Sequence, residues 1–484
     1  MLDLSLASIK ENVKTFDSFL ELRKVLSRRC SELSVVNCLP QSFFEDELEL
    51  AEVSAREKKL LSFVPFTVKD NIVYKRGFST AGSLILKNYR SPFSATAVER
   101  LEDQGAIVVG KCNLDEFGMG STNERSCFGP TKNPFDLSRS AGGSSGGSAA
   151  TVASRLCSFS LGSDTGGSVR LPASFCNCYG LKPTYGKVSR FGLIAFGSSL
   201  DQIGVLAPDL MTAAYVLETM AGFDPNDSTT VNHECFEIEK VLSDVDLKSF
   251  RIGLLENCLD YSSVNAEILR VYDYVKSFYS KKGCKFVQLS DFWSLKRGVS
   301  CYYVIATAEA SSNLLRYDGL RYGYSKSSGD LEDYYLSVRA EGFGEEVKRR
   351  ILIGTFVLSA GWQEKYFHKA ARLRGVIYKQ FLEAFKEVDL ILTPCSPILP
   401  PKLGSKLNDP IQMYLMDIFT VSANLAGIPA LAFPCGFSIE NLPIGMQFMA
   451  PHFREDLLYR AVYPFELEHD FHKKLPPILS SQAL

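Results

Sequence analysis

The sequence has no long apolar run, no paired-cysteine motif and almost no net charge. No stretch of about 18 consecutive apolar residues occurs. The first residues also lack the apolar core and small-residue cleavage site of a secretory signal peptide. We therefore expect a cytoplasmic protein that does not span a membrane. The 13 cysteines contain no C-x-x-C motif, which predicts free thiols rather than disulfides or a zinc site.

The charge balance disfavours a broad nucleic-acid-binding surface. Lysine and arginine number 53 and acidic residues 55, so the formal net charge is −2. An RNA contact would need a local basic patch or a partner subunit. Histidine is scarce, with 5 residues in polar or terminal contexts. Neither a metal site nor a Ser-His-Asp triad is therefore predicted.

The sequence does contain short apolar runs that alternate with helical segments. Residues 1–60 are predicted to form an N-terminal helical region. Strand-like runs such as FVPFTV, AIVVG and CSFSLG follow, and further strands come after a polar candidate linker at 222–234. Strands on both sides of that stretch favour one sheet over two domains. We predict an α/β fold in which helices cover both faces of a single large mixed β-sheet, with a domain at 61–484 and a helical insertion around 303–387.

The run AGGSSGGSAATVASR, residues 141–155, has several possible interpretations. A flexible linker does not fit, because the run continues into the small-residue composition of a buried helix. A phosphate-binding P-loop needs Lys and Ser/Thr after its last glycine, and neither follows here. GGSSG formally matches a nucleophile elbow, but the polar residues before it make a poor strand. The remaining interpretation is a catalytic site in which serine hydroxyls react without a histidine.

A second glycine-rich motif, LGSDTGGSVRLP at residues 161–172, follows an apolar run. It places Ser168 at the predicted start of a helix, where successive N–H groups and the helix dipole can stabilise an oxyanion. Taken alone, an ordinary strand-to-helix turn explains the motif equally well.

Lys69 ends the apolar part of a third motif, VPFTVKDNI. A lysine after a strand is commonly a surface residue. At an unperturbed pKa of about 10.4, only on the order of 0.04% of lysine is neutral at pH 7. Burial without a counter-ion lowers that pKa, and a buried Lys69 would then be a base for serine.

These three motifs, in this order and spacing, resemble the amidase signature family with its Ser-cisSer-Lys triad. Further stretches, among them GKCNLDEFGMGSTNE, GLKPTYGKVSRFGL and ANLAGIPAL, are similar to the glutaminase subunits of tRNA-dependent amidotransferases in that family. The resemblance covers roughly residues 61 to 450. It implies that Ser168 is the nucleophile, Ser144 the bridging serine and Lys69 the base, with a cis bond between Gly143 and Ser144.

The resemblance also implies the supporting roles. The N–H groups that would stabilise the tetrahedral oxyanion, besides that of Ser168 itself, are those of Thr165, Gly166 and Gly167. From the position of the run at the start of a helix, and not from the resemblance, we expect Ser145 to support the site by hydrogen bonding and Ser148 to pack within the helix.

A glutamine pocket needs a counter-charge for each end of the amino acid. The family's positions map onto Arg350 for the carboxylate, Asp417 for the ammonium and Tyr302 for a polar wall. The adjacent Tyr303 is an alternative to Tyr302, and an ordinary helix-face charge remains open for Arg350. Leu171 departs from the family, which commonly has glutamine there.

The resemblance further implies a heterotrimer. GatB-like and GatC-like partner subunits would bind misacylated tRNA and use ATP and Mg²⁺. This chain would need no cofactor and would supply ammonia from glutamine. The amidated substrate would be Glu-tRNA(Gln), and the sequence leaves Asp-tRNA(Asn) open.

Two other functions remain as alternatives. A stand-alone amidase would act on an aliphatic or aryl amide, and the pairing of Arg350 with Asp417 argues against it. A catalytically inactive scaffold is disfavoured because Lys69, Ser144 and Ser168 are all present.

Overall fold

The computed structural model describes residues 3–44, 58–255, 263–290, 292, 295–326, 330–405 and 410–480. The strands are β1 (Gln41–Ser42), β2 (Pro65–Lys69), β3 (Ile107–Cys112), β4 (Lys132–Asn133), β5 (Asp136–Ser140), β6 (Phe159–Asp164), β7 (Tyr179–Lys182), β8 (Gln202–Ala207), β9 (Arg251–Leu254), β10 (Lys285–Gln288), β11 (Leu390–Pro394), β12 (Ala430–Phe437) and β13 (Pro443–Met449).

The α-helices are α1 (Leu6–Asn12), α2 (Phe16–Glu32), α3 (Thr96–Asp103), α4 (Gly146–Ala153), α5 (Arg170–Phe175), α6 (Leu210–Met220), α7 (Ile238–Ser243), α8 (Ala266–Lys281), α9 (Leu295–Asn313), α10 (Leu331–Gly342), α11 (Glu345–Leu358), α12 (Phe367–Glu387), α13 (Pro410–Leu415), α14 (Val421–Ala426), α15 (Glu455–Glu468) and α16 (Pro477–Ser480).

One mixed sheet joins 11 of the described strands in the order β1-β3-β2-β6-β8-β7-β12-β13-β11-β9-β10. β2 runs parallel to both β3 and β6, whereas β6 and β8 are antiparallel. The antiparallel pairing of β7 with β12 connects strands from both sides of the polar stretch at 222–234. The prediction of a single mixed sheet is therefore confirmed.

The central strands are buried along their whole length. Every residue of β2, β3, β6 and β8 is buried. Because successive side chains of a strand point to opposite faces, both faces of the sheet must be covered. Helices provide that cover, among them α5 against β7 and β12 and α6 against β8.

The glycine-serine run becomes the fully buried helix α4, as its small residues predict. Ser148 lies inside this helix and donates to Leu161 O at 3.1 Å. The helix packs against β2 and β6. Its small side chains let it approach the sheet closely.

The N-terminal residues share the core of the sheet. β1 pairs with β3 at one edge, Leu6 N donates to Thr212 Oγ1 at 3.2 Å, and Phe19 stacks on Phe63. Residues 45–57 of the predicted N-terminal helical region lie outside the described residues. The cysteines that the structure describes are free thiols. A helix with the length and apolar character needed to span a bilayer does not occur in the described ranges.

Helices α9 to α12 occupy the region of the predicted insertion, between β10 and β11. α9 and α11 pack closely at Gly354. A Cβ atom at this position would lie 2.0 Å from Thr307 O of α9. The two helices therefore have no room for a larger residue where they cross.

Gly354→Ala tests this packing against Gly375→Ala in α12, where no described residue beyond the surrounding turns of the helix lies within 4 Å of the added Cβ atom. Both substitutions gain roughly 0.5–1 kcal/mol of helix propensity. Gly354→Ala also forces a clash that typically costs about 1–3 kcal/mol. We expect Gly354→Ala to lower the thermal unfolding midpoint and Gly375→Ala to leave it unchanged or raise it. A Gly354→Ala chain as stable as Gly375→Ala would contradict the close contact.

Candidate active site

The site lies where two neighbouring parallel strands end. Lys69 is the last residue of β2, and Asp164 is the last residue of β6. Because β2 and β6 run parallel, these residues lie together at the carboxyl ends of the two strands, where α/β proteins commonly bind ligands. Ser144 and Ser145 immediately precede α4, and this position brings them to the same strand ends.

Lys69 is completely buried among hydroxyl groups. Its Nζ donates to Ser144 Oγ at 2.7 Å, Ser145 Oγ at 2.8 Å and Ser163 Oγ at 2.9 Å. No carboxylate of the described residues lies within ion-pair distance of Nζ. Burial lowers the pKa of Lys69 to about 7, although nearby carboxylates act in the opposite direction. A large fraction of this amine is therefore neutral at physiological pH.

The hydrogen bonds around Lys69 indicate where its lone pair points. Ser145 Oγ donates its own proton to Ser163 O at 3.1 Å, so it accepts from Lys69. Ser163 Oγ also accepts from Asn71 Nδ2 at 2.9 Å. A neutral amine has two N–H donors, and these two serines accept both. The lone pair is then left for the hydroxyl of Ser144, the closest of the three, so in the neutral form Ser144 becomes the donor in this hydrogen bond.

The peptide bond between Gly143 and Ser144 is cis, as the resemblance implies. Asp115 lies directly against it: Asp115 N donates to Ser144 O at 3.2 Å, and a Cβ atom at position 143 would be 2.2 Å from Asp115 Oδ2. Asp115 Oδ2 also accepts from Asn123 N at 2.8 Å. Glycine is therefore the residue that this contact permits at position 143.

A carboxylate organises the turn that carries Ser168. Asp164 accepts hydrogen bonds from Gly167 N at 2.9 Å, Val169 N at 3.1 Å and Arg170 Nε at 3.1 Å. Burial alone would raise the pKa of Asp164, but Arg170 holds it at about 2. The turn is thus built around a buried ion pair, and α5 begins directly beyond it at Arg170.

Ser168 is partly exposed between buried neighbours. Its carbonyl oxygen accepts from Ser145 N at 3.1 Å, which places the two serine segments side by side. The hydroxyls of Ser168 and Ser144 make no hydrogen bond to each other in the described structure. Ser168 therefore keeps some solvent-accessible surface, whereas Ser144 beside it is buried.

Three backbone N–H groups near Ser168 are available to an oxyanion. Those of Thr165, Gly166 and Ser168 have no acceptor within the described part of the chain. The Gly167 N–H, in contrast, is taken by Asp164. Two contacts fix the turn: Thr165 Oγ1 donates to Asp201 at 2.6 Å, and Thr420 Oγ1 donates to Gly166 O at 2.7 Å.

Arg350 is buried on the inner face of α11 and is not an ordinary helix-face charge. Its Nε donates to Glu346 Oε1 at 2.9 Å, and its guanidinium lies 5.1 Å from the ring centroid of Tyr303. The two terminal nitrogens have no hydrogen-bond partner among the described residues. They are free to bind a carboxylate in the bidentate manner that guanidinium favours.

Asp417 is buried as well. Ser121 Oγ donates to its Oδ2 at 2.7 Å, while Oδ1 has no partner in the described ranges. Burial raises the pKa of Asp417 to about 7, against the influence of Ser121 and Arg350. A bound ammonium group would offset that desolvation and favour the ionised carboxylate.

The two adjacent tyrosines occupy different places. Tyr302 packs on the Ser168 turn, since a Cβ atom at Gly166 would lie 2.7 Å from its Cζ. Tyr303 stacks on Tyr414 at 3.7 Å and faces Arg350. Tyr302 therefore forms the wall beside the turn, and Tyr303 supports the arginine.

Several residues of the site were not predicted from the sequence: Asn71, Asp115, Ser121, Ser163, Asp164, Asp201, Glu346 and Thr420. Asn71 and Asp164 lie in the same motifs as Lys69 and Ser168, so proximity in the sequence is an available signal for these two. Asp115 lies in a separate motif, GKCNLDEFGMGSTNE, and has no such signal. Leu171, the departure from the family, is buried against Phe175 and Met416. An apolar side chain thus supports the turn at this position.

A family model described as Amidase matches residues 22–459, so the chain belongs to the amidase family. Two relatives are each named as the A subunit of glutamyl-tRNA(Gln) amidotransferase. The protein of Agathobacter rectalis is 49% identical over 421 residues, which are 86% of this chain and 82% of the relative. That of a Geobacter species is 44% identical over 484 residues, 98% of this chain and 99% of the relative.

A solved structure shares the fold. The crystal structure of the corresponding glutamyl-tRNA(Gln) amidotransferase protein from Thermotoga maritima has 39% sequence identity and a TM-score of 0.78, with 96% of each chain covered. The family resemblance predicted from the sequence is therefore confirmed.

Proposed function

We propose that this chain is the glutamine-hydrolysing subunit of a tRNA-dependent amidotransferase. It would convert glutamine to glutamate and supply the ammonia with which partner subunits convert Glu-tRNA(Gln) to Gln-tRNA(Gln). The observation that carries the proposal is the fully buried Lys69, hydrogen-bonded to Ser144 beside the partly exposed Ser168. The names of the relatives support the tRNA-dependent reaction.

The proposed mechanism needs no metal or cofactor in this chain. Neutral Lys69 takes the proton of Ser144, Ser144 takes that of Ser168, and Ser168 Oγ attacks the side-chain carbonyl carbon of glutamine. Catalytic hydrogen bonds are often formed only when substrate binds, and the Ser168 hydroxyl would turn toward Ser144 at that moment. The free N–H groups of Thr165, Gly166 and Ser168 would bind the oxyanion.

Collapse of the tetrahedral intermediate breaks the carbon–nitrogen bond. Ser144 returns a proton to the leaving nitrogen, which departs as ammonia and leaves a γ-glutamyl ester on Ser168. Water then attacks the ester. Glutamate leaves, and Ser168 regains its proton.

The proposed glutamine pocket rests on two buried, opposite charges. Arg350 would bind the α-carboxylate through its terminal nitrogens, and Asp417 the α-ammonium through Oδ1. Tyr302 would form the wall between this pocket and Ser168. A simple aliphatic or aryl amide would leave the terminal nitrogens of Arg350 and Oδ1 of Asp417 without a partner, which argues for an amino-acid substrate.

The partners belong to the proposal as well. GatB-like and GatC-like subunits would bind the misacylated tRNA and activate its glutamyl group with ATP and Mg²⁺. The sequence contains no P-loop or dinucleotide-binding motif, which fits a division of labour between subunits.

Co-expression of this chain with its partner subunits tests the function. The purified complex should release glutamate from glutamine and amidate Glu-tRNA(Gln) when ATP and Mg²⁺ are present. Ser168→Ala should abolish glutamine hydrolysis, while amidation with added ammonium salt should continue. Hydrolysis of simple amides without glutamine-dependent tRNA amidation would instead indicate a stand-alone amidase.

The pH dependence of turnover tests the role of Lys69. Because the neutral amine is the base and its pKa is about 7, kcat at saturating glutamine should rise through pH 7 and level off above it. Lys69→Arg should be inactive across this range, since guanidinium stays protonated. A kcat independent of pH between about 5.5 and 8.5 would contradict this role.

Asp417→Asn tests ammonium recognition. Loss of a charged hydrogen bond should raise the KM for glutamine about 10- to 100-fold and change kcat much less. For the unmodified chain, KM should rise below pH 7 as Asp417 becomes protonated. Asp389→Asn is the control, because Asp389 pairs with Arg251, the first residue of β9, a strand near the other end of the strand order. Equal KM values for the two variants would remove Asp417 from the pocket.

A further inference from the structure

Helix α11 has two faces of different character. Its inner face is buried and contains Glu346, Arg350 and Gly354. Its outer face carries Leu352, with Ile353 and Phe356, and all three are exposed. Residues three or four positions apart lie together on a helix surface, so these side chains form one apolar area.

Two aromatic residues from the following loop extend this area. The ring centroid of Phe356 lies 5.1 Å from that of Trp362 and 5.8 Å from that of Tyr366. We call Leu352, Ile353, Phe356, Trp362 and Tyr366 the outer patch. Its side chains are between 39% and 71% exposed. A cluster of large apolar and aromatic side chains on a surface is typical of a protein interface.

The rim of the outer patch is basic. Lys365 lies with its Nζ 4.7 Å from the Trp362 ring, and Lys369 and Arg372 follow on α12. Within the described residues these three cations have no ion pair. Between Phe356 and Arg372 the sequence has a single acidic residue, Glu364, although the whole chain has a net charge of −2. The rim therefore complements an acidic surface.

We propose that the outer patch is the docking surface for another protein subunit of the complex, one that presents an apolar centre with an acidic rim. This inference rests on the proposed function. The relatives are named as subunits, which means that their surfaces meet other chains. A protein fits better than RNA because Leu352 and Ile353 offer neither a stacking face nor a charge to a nucleic acid.

The position of the patch connects it to the glutamine pocket. Arg350 lies on the inner face of the helix that carries the outer patch, and Gly354 fixes that helix against α9, which contributes Tyr302. A protein bound to the outer patch therefore touches the helix that forms one wall of the pocket.

The test compares two pairs of exposed apolar residues in the full-length chain. Phe356→Ser with Trp362→Ser removes the aromatic part of the patch. Leu331→Ser with Leu336→Ser is the matched control on α10, where these leucines are 61% and 63% exposed. The Kd for the partner subunits would be measured by titration, and thermal unfolding would check the fold of each variant.

We expect the patch variant to weaken partner binding on the order of 30-fold and the control to bind like the unmodified chain. Lys369→Glu with Arg372→Glu is a second variant that spares the apolar centre, and it should weaken binding as well. Unchanged binding by both the patch and the charge variants would overturn the proposal. A patch variant that binds the partner subunits normally but loses binding of tRNA would also overturn the proposal, because the patch would then be an RNA surface.

Failure of the proposed function gives a different result. If the unmodified chain binds no partner and supports no tRNA amidation, both inferences fall. The unmodified chain could instead bind its partners and support tRNA amidation while the patch variants bind the partners equally well. In that case the function stands and the docking surface lies elsewhere.

Discussion

The site depends on the burial of a lysine amine among hydroxyl groups, with no carboxylate of the described residues within ion-pair distance of it. Lys69 is enclosed by three serines, and this lowers its pKa to about 7. Burying the charged ammonium form there costs free energy, and this cost shifts the protonation equilibrium toward the neutral amine. The buried central strands that hold Lys69 are therefore part of the chemistry, because they keep water away from it.

The arrangement requires the nearest carboxylates to be engaged elsewhere. Asp164 ends the strand beside Lys69, but its charge is balanced by Arg170, and its oxygens accept N–H groups of the Ser168 turn. Asp115 is occupied by the backbone of Asn123 and Arg125. These carboxylates shape the two serine turns without forming an ion pair with the lysine.

Local patterns carried much of the prediction. Short apolar runs located most strands of the large sheet, and the small residues after the glycine-serine run predicted α4. The family resemblance supplied roles for Lys69, Ser144 and Ser168, and the structure brings these three residues to one edge of the sheet. Adjacent strands β7 and β8 were not predicted, since β7 is short and both contain glycine.

Contacts between distant segments could not be predicted from the sequence. Ser121 and Asp417 are 296 positions apart, and Thr420 reaches Gly166 across 254. No periodicity predicts such pairs, because they depend on how the segment between β11 and β12 folds against the rest of the site. The commitment of the Gly167 N–H to Asp164 is also invisible in the pattern, which shows two equivalent glycines.

The most direct measurement of the central claim is the covalent intermediate. The chain would be mixed with glutamine, quenched in acid within the first turnover and digested for mass spectrometry. The account predicts a γ-glutamyl ester on Ser168, absent from Lys69→Met because the base is missing. A γ-glutamyl group on Ser144 or on a cysteine, or ammonia release with no acyl-enzyme at any time, would contradict it.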